Sequence, residues 1–184
     1  MRHLALIFAL FATPAAADCP PGRDKTPELQ ALVDKANAAQ SEAAARGVAG
    51  EMWAVLLRAP DGTAQDLLDR ALSRRDSYDF RGARSELDKL IAYCPAYAEG
   101  YNQRAYIAFL RGEFEAALPD LDAALRLQPL HVGAQSGRAL TLMNLGRIAE
   151  ARRQMLAALE NNPWLSERAL LSPGAPLGPQ GEDI

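Results

Sequence analysis

The dipeptide Arg-Ala recurs at Arg70-Ala71, Arg104-Ala105 and Arg138-Ala139, 34 residues apart both times. A fixed period of this length restricts the chain to an architecture in which one small unit is copied and stacked. In the same frame, residues 98–131 carry Tyr101, Ala105, Gly112, Phe114, Ala117, Leu121, Ala124 and Pro129. Residues 132–165 repeat this with Ala139, Leu145-Gly146, Ile148, Ala151, Met155, Ala158 and Pro163. A worn copy, 64–97, keeps Ala71, Phe80, Ala83, Leu87, Leu90 and Pro95, with Tyr78 where the others have glycine.

Within each unit, apolar residues fall at i, i+3, i+4 and i+7 in two stretches, which predicts two amphipathic helices. Gly112 and Gly146 sit where the first helix must end with positive φ, a conformation glycine adopts without a Cβ clash. Pro95, Pro129 and Pro163 end the second helix, because proline offers no N–H and crowds the preceding turn. Small Ala105, Ala117, Ala139 and Ala151 allow helices to approach closely. Pro119 falls early in a second helix, which calls for a late helix start or a slight kink. Ala, Leu, Glu and Arg dominate the composition, and runs of β-branched residues are missing, so the expected class is all-α.

This pattern resembles the tetratricopeptide repeat (TPR). The resemblance implies a right-handed superhelix of antiparallel helix pairs whose first helices line a concave groove. Carried onto this chain, the groove positions are Glu99, Asn102, Gln103, Tyr106, Phe109 and Leu110 in the middle copy. They are Ser136, Leu140, Met143 and Asn144 in the third, and Leu68, Asp69, Leu72, Arg75 and Asp76 in the first. Aromatic, amide and apolar groups together suit a peptide or helix laid in a groove. The apolar ones serve equally well as packing against the next helix, whereas packing does not explain Asn102 and Gln103. Some members of the family clamp a partner's C-terminal carboxylate with lysine and asparagine, and the lysines are absent from these positions. Tyr93, Tyr97 and Tyr101 read as a packing layer.

The flanks lie outside the period. Thr26 followed by Pro27 predicts a helix start with Thr26 as N-cap, running to about residue 46, where Gly47 and Gly50 break it. A shorter helix over 51–57 follows, with Thr63 capping the first repeat helix. These helices are a very worn repeat or, the favoured reading, an N-terminal cap to the array. Beyond the repeats, 166–171 predicts a short capping helix and 172–184, rich in Pro and Gly, a flexible tail.

At the other extreme of the chain, Arg2 and His3, the apolar stretch 4–12 and Ala15-Ala16-Ala17 form a secretory signal pattern with cleavage before Asp18. The apolar stretch is too short to span a bilayer, although an uncleaved anchor is the alternative. Export to an oxidising compartment, periplasmic or extracellular, lets Cys19 and Cys94 persist as a disulfide rather than as two separate thiols. The bridge closes a loop of about 75 residues, for which chain entropy gives about 4 kcal/mol.

The formal charge of −3 lacks the basic excess of a nucleic-acid binder. No phosphate-cradling glycine loop, zinc-protease helix or nucleophile elbow is found, and no cofactor or metal site is expected. His131, in the turn between the second and third repeats, and the pair Asp120 and Asp122 read as solvated. The expected function is therefore non-catalytic: a scaffold that binds a peptide or protein segment. The alternative is a small-molecule or lipid carrier whose groove the N-terminal helices roof.

Overall fold

The computed structural model describes residues 19–179. The signal pattern over 1–17 lies outside them. Eight α-helices follow one another: α1 (Thr26–Asn37), α2 (Glu42–Leu56), α3 (Gly62–Asp76), α4 (Phe80–Tyr93), α5 (Ala98–Leu110), α6 (Phe114–Leu127), α7 (Val132–Asn144) and α8 (Ile148–Asn161). A 3-10 helix, Ser166–Leu171, comes last. Pairs α3/α4, α5/α6 and α7/α8 each pack together, and α4 on α5 and α6 on α7 join the pairs into one stack, as in a TPR solenoid.

The repeated residues explain the stack. Ala71, Ala105 and Ala139 on the first helices, and Ala83, Ala117 and Ala151 on the second, are all within 1% of complete burial. The first helix of each pair ends in the same way. Glu113 N–H reaches back to Ala108 O and Arg147 N–H to Leu142 O, both at 2.9 Å, around Gly112 at φ 73° and Gly146 at φ 72°. This 6→1 bond defines the Schellman turn. The worn copy makes the same bond, Asp79 N–H to Arg74 O at 2.9 Å, but with Tyr78 forced to φ 60°.

The arginine that marks the period has a structural task. Arg104 bonds Asp120 on its own second helix (2.7 Å) and Asp88 on the preceding one (2.8 Å). Arg138 likewise bonds Gln154 and Asp122, and Arg70 bonds Glu86. Asp120 and Asp122 are thus rungs of an arginine ladder between repeats and not merely a solvated face. Paired carboxylates on both sides hold the Arg104 guanidinium well above its ordinary pKa.

Four expectations need correction. Helix α1 stops at Asn37, and α2 starts after Ser41, whose Oγ accepts from Ala44 N–H at 3.2 Å. Gly47 and Gly50 then lie inside α2. Each costs about 1 kcal/mol there, which burial of Val48, Met52, Val55 and Leu56 on the same helix offsets. Neither predicted threonine is a cap. Lys25 precedes α1 without a side-chain cap, while Asp61 caps α3 by accepting from Ala64 N–H at 2.8 Å. Pro119 is not rescued by a late start, because α6 begins at Phe114 and the proline lies within the helix. Residues 172–179 pack onto the last repeat: Leu177 is fully buried against Leu142 and Met155, and its N–H and C=O bond Leu170 O and Arg152 Nη1. Residues 180–184 of the expected tail lie outside the described region.

The N-terminal hairpin packs mainly on the far end of the array and not as a simple end layer on the first repeat. The inner face of α1 and α2 forms a core with Leu130 and Val132, from the turn before α7 and its first residue. Helix α1 also touches α8. Asn37 Nδ2 donates to Glu160 O at 3.1 Å, and Trp164 Nε1 to Ala36 O at 3.1 Å. The hairpin therefore folds back toward the last repeat across the side that the first helices face. The Cys19–Cys94 disulfide, present as expected, ties the segment before α1 to the end of α4.

Candidate binding groove

Helices α3, α5 and α7 present one wall each to a cavity of about 570 Å³. It collects most of the groove positions: Leu72, Arg75 and Asp76 from α3, Asn102, Gln103, Tyr106 and Phe109 from α5, and Ser136 and Leu140 from α7. Other positions go elsewhere. Leu68 is fully buried core, Glu99 is sealed at 1% exposure, and Met143 packs beneath the last repeat. Asn144 Nδ2 turns back onto Leu140 O, Asp69 accepts from Gln65, and Leu110 lies exposed without reaching the cavity.

Sequence reasoning missed Trp53. It comes from α2, outside the period, yet it lines the cavity, about a third exposed. Gly133 at the start of α7 makes room for it: a Cβ there would lie 2.4 Å from the ring. Gly133 breaks no helix and ends none, so the local signal was a glycine with no turn to explain it.

Behind the wall lies a polar network. The Glu99 carboxylate receives Gln103 Nε2 at 2.5 Å, Asn102 Nδ2 at 3.2 Å and His131 Nε2 at 2.7 Å. The Nδ1 of His131 accepts from Ala134 N–H at 3.2 Å and so caps α7. An Nδ1 that accepts leaves the ring proton on Nε2, so the imidazole donates to the carboxylate. His131 is fully buried and not solvated, because its ring fills both roles and meets the Trp53 ring edge-on at 6.2 Å. Asn102 and Gln103 are likewise explained in part by an interior partner. Gln103 passes the network on: its Oε1 accepts from Arg75 Nη1 at 2.9 Å.

A second cavity, about 530 Å³, lies under residues 19–25 on the far side of Glu99. Lys25 spans it, donating to Leu56 O at 3.0 Å and Arg58 O at 2.7 Å, with its ammonium 4.9 Å from the Tyr97 ring centre. Burial pushes its pKa down to about 8, against the opposing pull of the Glu99 charge. Burial also raises the Tyr97 hydroxyl, which donates to Leu56 O. Among the described residues no group of three or more His, Cys, Asp or Glu is placed to hold a metal ion, and no helix is long and apolar enough to cross a membrane.

Known proteins share the repeat. A TPR protein of Rhizobium etli is 42% identical over 60 residues, covering 33% of this chain and 29% of the relative. Tetratricopeptide repeat protein 36 of Xenopus tropicalis is 33% identical over 120 residues, 62% of this chain and 59% of the relative. Its homologue in Nematostella vectensis is 36% identical over 70 residues, 38% of each. The chain thus spans between about a third and three fifths of these relatives. The sequence profile of the tetratricopeptide repeat matches residues 68–131 and again 102–163, so that with three stacked helix pairs in the matched region the chain belongs to the tetratricopeptide-repeat family.

Proposed function

We propose that this protein is a non-catalytic scaffold that takes a short segment of another protein into the concave groove, outside the cytoplasm and in the bacterial periplasm. TPR arrays commonly mediate protein–protein interaction, and that much comes with the family. The observation that carries the groove reading is the convergence of three successive first helices on one cavity with a half-exposed aromatic, Tyr106 at 45%, at its surface. A large apolar ring left in water beside a concavity marks a contact site better than one packed away. The leader pattern over 1–17 and the disulfide support the compartment independently.

The test is a photo-crosslinking amino acid in place of Tyr106, introduced into the protein in its native envelope. A discrete crosslinked partner is expected, and it should vanish when Leu140→Arg fills the cavity. The same crosslinks in the blocked protein would refute the groove.

One observation favours a second reading, a carrier of a small apolar molecule. Trp53 from the N-terminal hairpin closes part of the groove, and about 570 Å³ falls within the range of small-ligand pockets. A copurifying non-peptide ligand in native mass spectrometry would put this reading first.

A further inference from the structure

One polar atom in the groove wall is left without a partner. Asn102 is 95% buried, since its exposure is 5%. Its Nδ2 donates to Glu99, and the carboxylate decides which way round the amide sits, because a carboxylate only accepts. The carbonyl Oδ1 receives no hydrogen bond from the described residues and is not among the sealed, unpartnered atoms, and the cavity is the open space that Asn102 lines. An occupant must bring a donor to it.

The charges of the wall point the same way. Among the described residues that line the cavity Arg75 is the only cation, against the carboxylates of Asp76 and Glu167. Its guanidinium is engaged: Nε and Nη2 hold Asp76 Oδ1 at 2.9 and 2.7 Å, Nη1 holds Gln103, and its face lies 5.8 Å from the Tyr106 ring centre. Glu167 accepts from Ser166 Oγ and makes no ion pair among the described residues, the neighbouring Arg168 donating instead to the carbonyls of Trp164 and Leu165. The wall therefore carries one uncompensated negative charge, with aromatic and aliphatic surface from Trp53, Tyr106, Phe109 and Leu140 around it.

We infer that the groove reads a lysine side chain in the bound segment, its ammonium on Asn102 Oδ1 and in the field of Glu167, its methylene stem along Trp53 and Leu140. An ammonium supplies three donors on a flexible apolar stem, which matches a single fixed acceptor within an apolar, negatively biased cavity. An anionic occupant would face the Asn102 carbonyl and find Arg75 already paired. A purely apolar occupant would bury the carbonyl without a donor. Glu99 is then a positioning residue: it touches no ligand but orients the amide that does.

This inference rests on the groove reading, and one experiment separates the two. A fluorescein-labelled nonapeptide of alternating alanine and leucine, with lysine, norleucine or glutamate at its centre, is titrated into the full chain by anisotropy. The lysine peptide should bind about tenfold tighter than the other two. That preference should shrink several-fold in Glu167→Gln and in 0.5 M salt, where the Debye length falls to about 4 Å. Equal binding of lysine and norleucine, or tighter binding of glutamate, with all binding abolished by Tyr106→Ala, overturns the lysine and leaves the groove standing. If no peptide binds, or if Tyr106→Ala changes nothing, both readings fall.

Discussion

The repeat array and the N-terminal hairpin are held together in opposite ways. In the array the principal contacts recur 34 residues along: Ala71, Ala105 and Ala139 at the close approach, Arg70, Arg104 and Arg138 on the ladder, the Schellman turn at each bend. Contacts join neighbours in sequence, and each unit supports the next. The hairpin has contacts made once and over long distances: Cys19 to Cys94, Asn37 to Glu160, Trp164 to Ala36. Damage to the array should therefore travel along it, whereas damage to the hairpin should stay with the hairpin and with the groove it overhangs.

The sharpest way to break this contrast is to open the disulfide. Cys19→Ser with Cys94→Ser should destabilise by about 4 kcal/mol from restored chain entropy. Hydrogen exchange should quicken in the segment before α1, in α1 and in α2 while α5 to α8 keep their protection. Equal loss of protection in α7 and α8 would show that the hairpin and array form one cooperative unit. A smaller effect is expected from Gly133→Ala. The new Cβ meets the far edge of a partly exposed ring that can swing outward, so the cost should stay near the low end of overpacking, about 1 kcal/mol. In a Trp164→Phe background, Trp53 emission should shift to the red as the ring moves into water. An unchanged spectrum would mean that the ring does not lean on α7.

The same contrast explains what could be read in the chain. Helix pairs, turns and the positions of Tyr106, Leu140 and Arg75 were legible because periodicity repeats each signal and a helix face follows from spacing. Trp53 in the groove was not, because Gly133 signals only a close approach and does not say which residue of a non-repeating hairpin makes it. His131 was misread for a related reason. A residue in a turn is ordinarily solvated, and only the distant Glu99, brought near by stacking, makes it an interior cap. Leu177 sits in a Pro- and Gly-rich stretch whose composition predicts looseness, yet an exposed end face of Leu142 and Met155 needs covering and takes it.

Within the array, the one bend that departs from the pattern offers a gain in place of a loss. Tyr78 holds φ 60° with 82% of its surface exposed. Replacement by glycine removes the left-handed penalty of a side-chain-bearing residue and little packing beyond an edge contact with Phe80. Tyr78→Gly should stabilise by about 1 kcal/mol, seen as a higher urea midpoint. Tyr78→Ala, which keeps the Cβ, should not. Stabilisation by both would assign the effect to the ring and not to the backbone.

The smallest expected effect belongs to Lys25, where the hairpin meets the array, and it carries a sign. Its pKa falls from 10.5 to about 8 on folding, mainly through burial. Below about pH 8 the amine is charged in both folded and unfolded chains, and the full penalty of burying it is felt. Between about pH 8 and 10.5 the folded chain sheds the proton first, so this group's contribution to stability rises with pH. Above that window it is neutral in both states and the penalty is gone. Lys25→Met lacks the titration. The stability of the wild type relative to this variant should therefore improve from pH 7 to pH 10, modestly, since the amine is only partly buried. The urea midpoints of the two proteins, measured across that range, supply the check. A gap that stays constant would mean that Lys25 keeps its ordinary affinity for protons. The two carbonyls at the end of α2, the Tyr97 ring and Glu99 would then offset its burial in full.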